Sequence, residues 1–183
     1  FETLKVYGGT PFAVRRHLER LAFSARGLGL EVPPEEVLRA AMADVVAANG
    51  LGDGRLRITL TGGVSPLGSD RGSDGPLVIV AGGALAPWPE STDVVVVPWP
   101  RNERSAVAGL KTTSYAENVV ALAHATERGA GEAIFANLAG DLCEGTGSNV
   151  FVGLDAIPYV RQIRVGRRRE IDLNSRRSDD IAS

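Results

Sequence analysis

The chain has 183 residues, 44% hydrophobic and 23% charged, which is ordinary for a folded globular protein, and its net charge of −2 gives no electrostatic case for a nucleic-acid partner. Its single cysteine, Cys143, excludes an internal disulfide, and its two histidines, His17 and His124, lack metal-site spacing, so we expect no metal. Its apolar runs are too short to cross a bilayer and no signal peptide opens it, so we expect a cytoplasmic protein without membrane contact.

The first half of the sequence predicts a small α+β domain over residues 1–98. Residues 1–7 fit a strand that ends in a Gly8-Gly9 turn. Apolar residues then recur at helical spacing from Pro11 to Leu28, and His17 on this helix is interpreted as structural. The other predicted elements of this half are a helix over Pro33–Ala48, strands over Arg55–Thr61, Leu77–Ala81 and Val94–Val97, and a Gly/Ser-rich loop over Gly62–Gly75.

The second half predicts a linker, part of a larger domain and a tail. Prolines and charges at residues 99–104 indicate an interdomain linker, and residues 105–153 predict part of a second domain. Residues 154–183 are Arg-rich with scattered apolar residues, which predicts an atypical, poorly ordered tail. The elements predicted in the second domain are a helix over Ser114–Arg128 and strands over Ala133–Asn137 and Asn149–Val152.

Lys111 is the first residue with possible chemistry. It lies in Ala108-Gly109-Leu110-Lys111-Thr112-Thr113-Ser114, directly before a predicted helix, and no acid is near it in sequence. A partly desolvated lysine can act as a nucleophilic amine, whereas a solvated loop lysine has no such role. Taken alone, the segment favours the solvated loop.

Two other features are weak signals by themselves. Glu144 is followed by a Gly-Thr-Gly-Ser loop and then Asn149-Val150-Phe151, which is neither a Walker loop nor a dinucleotide-binding motif and also fits a hairpin turn. Arg57 stands in the middle of a predicted strand, on the face shared with Arg55 and Thr59. That face is either exposed to solvent or contacts an anion, because burying an arginine without a partner anion is costly.

Together, the three segments resemble the class IV aminotransferases, which are pyridoxal phosphate (PLP) enzymes of fold type IV. A strand Arg, a Lys before a helix and then Glu-x-Thr-x-x-Asn-Val-Phe are similar to the family in type, order and spacing. The opening FETLKVYGGTPFAVRRHLERL, with its His-x-x-Arg-Leu pattern, resembles the family's start. The resemblance covers about residues 1–153. It implies an α/β fold in which an α+β domain precedes part of an α/β barrel-like domain.

The resemblance implies PLP as the cofactor. Lys111 would be the catalytic lysine, holding PLP as a Schiff base and later moving the proton at the substrate Cα. Glu144 would pair with the pyridine nitrogen, Arg57 would bind the phosphate, and Tyr115 would lie near the phenolic oxygen. The loop residues implied to shape the cofactor site are Gly145, Thr146, Gly147, Ser148 and Asn149.

The leading interpretation is PLP-dependent transfer of an amino group between an amino acid and a 2-oxo acid. Phe1 and Thr3 correspond to positions that face the substrate, and the resemblance also implies a homodimer. The alternative is 4-amino-4-deoxychorismate lyase, which converts aminodeoxychorismate into p-aminobenzoate and pyruvate. The spacing of Lys111 and Tyr115 is more similar to the lyase and D-amino-acid branch than to the branched-chain branch.

A third interpretation is an inactive fragment that retains only a folded N-terminal domain. The chain opens on Phe1, inside a predicted strand, whereas family members normally have residues before this point. After Phe151 the sequence no longer resembles the family, and the expected Gly-x-Thr phosphate-binding turn is not found. We therefore expect a chain that is truncated at both ends relative to the family.

Overall fold

A computed structural model describes residues 1–87, 89–154, 157–159, 164–165 and 171–172, and from residue 152 on it describes strand backbone alone. The described residues form two compact units. Unit 1 contains the residues before Pro89 together with Gly109–Thr113. Unit 2 contains Pro89–Ala108 and the described residues from Ser114 on. Lys111 therefore belongs to unit 1, although the segments before Gly109 and after Thr113 belong to unit 2.

Unit 1 is built on a four-stranded antiparallel sheet with the strand order β2-β1-β3-β4. Its strands are β1 (Glu2–Tyr7), β2 (Thr10–Pro11), β3 (Gly54–Thr61) and β4 (Leu77–Ala84). Gly8 and Gly9 form the two-residue turn between β1 and β2 with φ of 51° and 80°, in the left-handed region that this hairpin turn requires. The order places β3 inside the sheet.

Two helices, α1 (Val14–Gly27) and α2 (Glu35–Ala48), pack on one face of this sheet. Buried and exposed side chains alternate along β1 and β3, so each strand turns an apolar row toward the helices and a polar row away from them. Burial of these apolar rows is the main source of the unit's stability. The core residues are Leu4, Val6, Leu18, Leu21, Ala25, Leu38, Met42, Leu51, Leu56, Ile58 and Leu60.

Helix α1 begins later than the apolar spacing predicts. Pro11 belongs to β2 and pairs with β1, and the Phe12 N–H donates to the Lys5 carbonyl over 2.8 Å. Ala13 then adopts a left-handed conformation with φ of 53°, and helical geometry starts at Val14. The apolar spacing predicts the helix correctly. Its first residue, however, is set by the pairing of β2 with β1, which the spacing cannot reveal.

Unit 2 contains a three-stranded sheet with the order β5-β6-β7. Strand β5 (Val94–Val96) runs parallel to β6 (Glu132–Ala136), and helix α3 (Ala116–Thr126) lies in the connection between them. Strand β7 (Leu142–Gly145) returns antiparallel to β6. A parallel pair needs such a long connection, and the helix covers the sheet. The core residues are Val97, Ala121, Ala125, Ala130, Ala133 and Phe135.

Two short antiparallel strand pairs follow. Strand β8 (Val152–Leu154) pairs with β9 (Ile157–Tyr159), and β10 (Arg164–Val165) pairs with β11 (Ile171–Asp172). The strand predicted over Asn149–Val152 is wrong in its position, because β7 ends earlier and β8 starts at Val152.

The predicted tail at 154–183 lies largely outside the described residues, and the predicted domain boundaries remain predictions. No helix in the described part of the chain is long and apolar enough to cross a membrane.

Candidate functional site

The main chain at Lys111 is anchored within unit 1. The Lys111 N–H donates to Ser24 Oγ on α1 over 3.0 Å, and the Lys111 carbonyl accepts from the Phe1 nitrogen over 3.1 Å. Beside it, Leu110 packs so closely on α1 that a Cβ built on Gly27 would lie 2.7 Å from Leu110 Cδ2. Segments far apart in sequence therefore hold the lysine's backbone on both sides.

The ring of Phe1 supports two cations. It is only 6% exposed, with the Arg57 guanidinium 3.9 Å and the Lys111 Nζ 4.5 Å from its centroid. Each cation is attracted to the negative face of an aromatic ring at such distances. Arg57 Nε also donates to Thr59 Oγ1 over 3.3 Å. One buried ring thus contacts both a primary amine and a guanidinium.

Arg57 and Thr3 share the face of the sheet that lies away from the helices. They are partners in the β1–β3 register, and both are exposed. Because β3 lies between β1 and β4, Arg57 is not on an edge strand. In unit 1 the structure therefore brings together Phe1, Thr3, Arg57 and Lys111 of the predicted site residues.

A buried carboxylate fixes β1 from the other side. Glu2 is fully buried and accepts two hydrogen bonds from Arg20, both 2.6 Å long, and one from His17 Nδ1 over 2.7 Å. Burial alone would raise the pKa of Glu2, but these hydrogen bonds outweigh it and hold the pKa below its usual value. His17 therefore contacts the residue directly after Phe1.

In unit 2, Glu144 on β7 is bound by an arginine. The Arg101 Nε donates to Glu144 Oε1 over 3.1 Å, and its two terminal nitrogens donate to Glu117 Oε2 over 3.0 Å and Asn118 Oδ1 over 2.7 Å. The guanidinium also stacks on the buried ring of Phe135, 3.8 Å from its centroid. Arg101 thereby ties β7 to α3 and β6.

The loop after Glu144 is held by a second carboxylate, Glu132. Glu132 accepts the Thr146 N–H over 3.0 Å, the Thr146 hydroxyl, and the Ser148 hydroxyl over 2.6 Å. Burial would raise the pKa of Glu132, but these donors and the Ala133 N–H hold it below its usual value. Asn118 Nδ2 donates to the Thr146 carbonyl over 2.5 Å. The loop therefore has a fixed shape.

The other predicted residues of unit 2 lie around these contacts. Tyr115 is half-buried at the start of α3, where its carbonyl accepts the Val119 N–H over 3.0 Å. Gly145 is the buried last residue of β7, and Gly147 and Asn149 are exposed in the loop.

Sequence reasoning missed three residues that support the site: Arg101, which it placed in a linker, Glu132 and Ser24. Their partners lie between 14 and 87 residues away in sequence, so no local pattern points to them.

Comparisons with known proteins match the chain to one family. The family described as amino-transferase class IV matches residues 1–166. A bifunctional aminodeoxychorismate lyase / D-amino acid transaminase of Mycobacterium tuberculosis is 32% identical, with 85% of this chain and 56% of that protein covered.

Solved structures share the fold of the chain. The fold IV-transaminase CpuTA1 of Curtobacterium pusillum has a TM-score of 0.74 at 32% identity, covering 86% of this chain and 55% of that one. The branched-chain aminotransferase of Thermoproteus uzoniensis, solved with norvaline, has a TM-score of 0.77 at 28% identity, with coverages of 86% and 56%. An aminotransferase from Mycobacterium tuberculosis solved in a PLP-bound form has a TM-score of 0.69 at 28% identity, with coverages of 82% and 56%.

The chain spans between 54% and 66% of the length of three curated relatives that it matches. Its mixed α/β architecture is that of the fold type IV aminotransferases, so the predicted fold class is confirmed. The family match covers most of the chain. The chain therefore belongs to the class IV aminotransferases, a family of PLP-dependent transaminases and lyases.

Proposed function

We propose that this chain carries residues of a PLP-dependent transaminase site and that the whole protein transfers an amino group between an amino acid and a 2-oxo acid. The observation that best supports this is the pair formed by Lys111 and Arg57 on the buried ring of Phe1. PLP carries an aldehyde and a phosphate, and a primary amine and a guanidinium that contact the same ring suit those two groups.

The side chains present fit PLP group by group. The Lys111 amine suits the aldehyde, and the Arg57 guanidinium suits the phosphate, which arginine binds through charge-assisted hydrogen bonds. The Glu144 carboxylate suits a protonated pyridine nitrogen. When bound, PLP supplies an electron sink for the carbanion formed at the substrate Cα.

Three residues have the main proposed roles. Lys111 holds the cofactor and takes and returns the proton at the substrate Cα, where a positioned amine acts as general base and then as general acid. Glu144 accepts a hydrogen bond from the ring nitrogen and keeps that nitrogen protonated. Arg57 binds the phosphate and fixes the cofactor's orientation.

The remaining roles are also proposals. Tyr115 is proposed to lie near the phenolic oxygen, and Phe1 and Thr3 to face the substrate. We also propose a homodimer, which the resemblance to the family implies. The loop residues proposed to shape the cofactor site are Gly145, Thr146, Gly147, Ser148 and Asn149.

A second candidate function is aminodeoxychorismate lyase. The spacing between Lys111 and Tyr115 favours the lyase and D-amino-acid branch, and a relative at 32% identity carries both activities in its name. Assays with an amino donor and 2-oxoglutarate, and separately with aminodeoxychorismate, distinguish the two functions. Pyruvate and p-aminobenzoate formed without an amino acceptor would identify the lyase.

Titration of the full chain with PLP tests the proposal. The chain has only two lysines, Lys5 and Lys111, so two single variants cover every lysine. We expect a visible absorption band of lysine-bound PLP in the wild-type chain and in Lys5→Ala, and its loss in Lys111→Ala. The band persisting in Lys111→Ala would contradict the proposal. A chain that folds but gives no band would be the inactive fragment.

A further inference from the structure

We propose that Arg101 is the positioning residue for Glu144. Its guanidinium holds one carboxylate oxygen of Glu144 and leaves the other available to accept a hydrogen bond that the ring nitrogen of the cofactor would donate. This inference rests on the proposed function, because that function gives Glu144 its partner.

Arg101 is itself held rigidly. Its main-chain N–H donates to the Ala136 carbonyl over 2.7 Å, and its guanidinium lies 3.8 Å from the centroid of Phe135. One of its terminal nitrogens donates to Asn118 Oδ1 over 2.7 Å. The arginine side chain is only 21% exposed. A planar guanidinium fixed by a ring on its face and an acceptor at one end has one orientation left for its remaining donors.

Glu144 by contrast is 56% exposed, so nothing in its burial selects one rotamer. Its Oε1 accepts from Arg101 Nε over 3.1 Å, and no residue in the described part of the chain hydrogen-bonds to its Oε2. An exposed ion pair of this kind adds little to the free energy of unfolding. What the contact supplies is direction, because it restricts a flexible carboxylate to orientations that keep Oε2 available.

The other carboxylate bound by Arg101 gives an internal control. Glu117 accepts from Arg101 at 3.0 Å but is 72% exposed on α3, outside the Glu144–Ser148 segment. If Arg101 served only to tie α3 to the sheet, loss of Glu117 would matter as much as loss of Glu144. If Arg101 positions Glu144, the two losses differ.

The first test uses the full chain without PLP. Nuclear magnetic resonance of the arginine Nε–H groups reports directly on the Arg101 contact. We expect the Arg101 Nε–H to exchange slowly with water in the wild-type chain and in Glu117→Gln, and to shift and exchange faster in Glu144→Gln. An Arg101 signal unchanged in Glu144→Gln would overturn the inference.

The second test is a double-mutant cycle on the dissociation constant for PLP. We expect the effects of Arg101→Gln and Glu144→Gln on the dissociation constant to be coupled by about tenfold. The double variant should then bind PLP no more weakly than the single variant that binds it less tightly. Arg101→Lys keeps the charge without the Nε donor, and we expect only partial recovery. Arg128→Gln, which removes an exposed arginine of the same unit, is the control with no expected effect.

The outcomes separate the two proposals. Additive losses from Arg101→Gln and Glu144→Gln, or full recovery by Arg101→Lys, would overturn the positioning role even if PLP binds. A wild-type chain without PLP binding would overturn the proposed function and with it the purpose of the contact, while the resonance measurement still decides whether Arg101 holds Glu144. If Arg101→Gln fails to fold, Arg101→Lys in the same cycle takes its place.

Discussion

Units 1 and 2 hold their proposed site residues by different physical means. In unit 1, Arg57 and Lys111 rest on the ring of Phe1, and main-chain hydrogen bonds anchor the lysine. In unit 2, the segment that starts at Glu144 is held by side-chain hydrogen bonds to Arg101 and Glu132. Neither an aromatic ring nor a main-chain amide titrates, whereas the Glu132 carboxylate does.

Two carboxylates, the buried Glu2 and the half-buried Glu132, sharpen this difference. Glu2 of unit 1 is balanced by the Arg20 guanidinium and the His17 ring nitrogen, whereas Glu132 of unit 2 is balanced by hydroxyl and main-chain donors. Both solutions satisfy a carboxylate that burial would otherwise destabilise. Only in unit 2, however, are the carboxylate's donors themselves proposed site residues. Acid should therefore disturb the proposed site through unit 2 first.

The largest effect is expected from Glu144→Gln. Loss of the carboxylate leaves the ring nitrogen without a partner that keeps it protonated, so turnover should fall by at least about 100-fold. Steady-state assays with an amino donor and a 2-oxo acid measure it. Glu117→Gln, which removes the neighbouring carboxylate on Arg101, is the matched control and should keep most of the activity. Full activity in Glu144→Gln would remove this residue from the mechanism.

The next effect is expected from Arg57→Gln. The variant removes charge-assisted hydrogen bonds to the phosphate, so the affinity for PLP should weaken by about 10- to 100-fold. Arg55 lies two residues earlier on the same exposed face of β3, so Arg55→Gln is a control matched in strand, face and charge. Equal losses in both variants would mean that unit 1 attracts phosphate by general charge and not through the ring-bound guanidinium.

A smaller effect is expected from acid on the loop of unit 2. Because the folded pKa of Glu132 lies below its usual value of 4.5, its hydrogen bonds stabilise the loop fully above that value and are lost as the pH falls through the folded pKa. The protection of the Thr146 amide, measured as its exchange rate relative to the intrinsic rate at each pH, should therefore fall below about pH 4.5 in the wild-type chain. In Glu132→Gln this protection should already be low at neutral pH, and wild-type protection that does not change with pH would contradict this account.

The smallest effect is expected from Ser24→Ala. The variant removes the acceptor for the Lys111 N–H without leaving a charge, so PLP affinity should fall by about 3- to 10-fold. Ser65→Ala, in the exposed loop before β4, is the control. A PLP affinity equal to that of the wild-type chain would mean that two other contacts are sufficient to anchor Lys111. These are the packing of Leu110 against Gly27 and the hydrogen bond from the Phe1 nitrogen to the Lys111 carbonyl.

Local patterns predicted most of the elements of this fold. Alternation identified β3 and the shared face of Arg55 and Arg57, and helical spacing identified α1, because both depend on the repeat of one element. The strand expected over Asn149–Val152 was wrong, since a Gly-rich loop between two short strands gives little periodicity. The first residue of α1 was missed because it depends on pairing between β1 and β2.

Motif resemblance predicted which residues to examine, but not what supports them. The pairing of Arg101 with Glu144 crosses 43 residues, and that of Lys111 with Ser24 crosses 87. Such contacts depend on how elements pack, and the side chains involved are common surface types. Arg101 was accordingly interpreted as part of a linker, because prolines and charges dominate its neighbourhood.

The central claim is that Lys111 forms the covalent bond with PLP, and borohydride trapping tests it most directly. The full chain is incubated with PLP, reduced and mapped by mass spectrometry of its peptides. Lys5 is a demanding internal control, because its Nζ also lies over an aromatic ring, 4.8 Å from the centroid of Tyr7. We predict pyridoxyl label on the Lys111 peptide and little on Lys5. Equal label on Lys5 and Lys111, or label on Lys5 alone, would contradict the account.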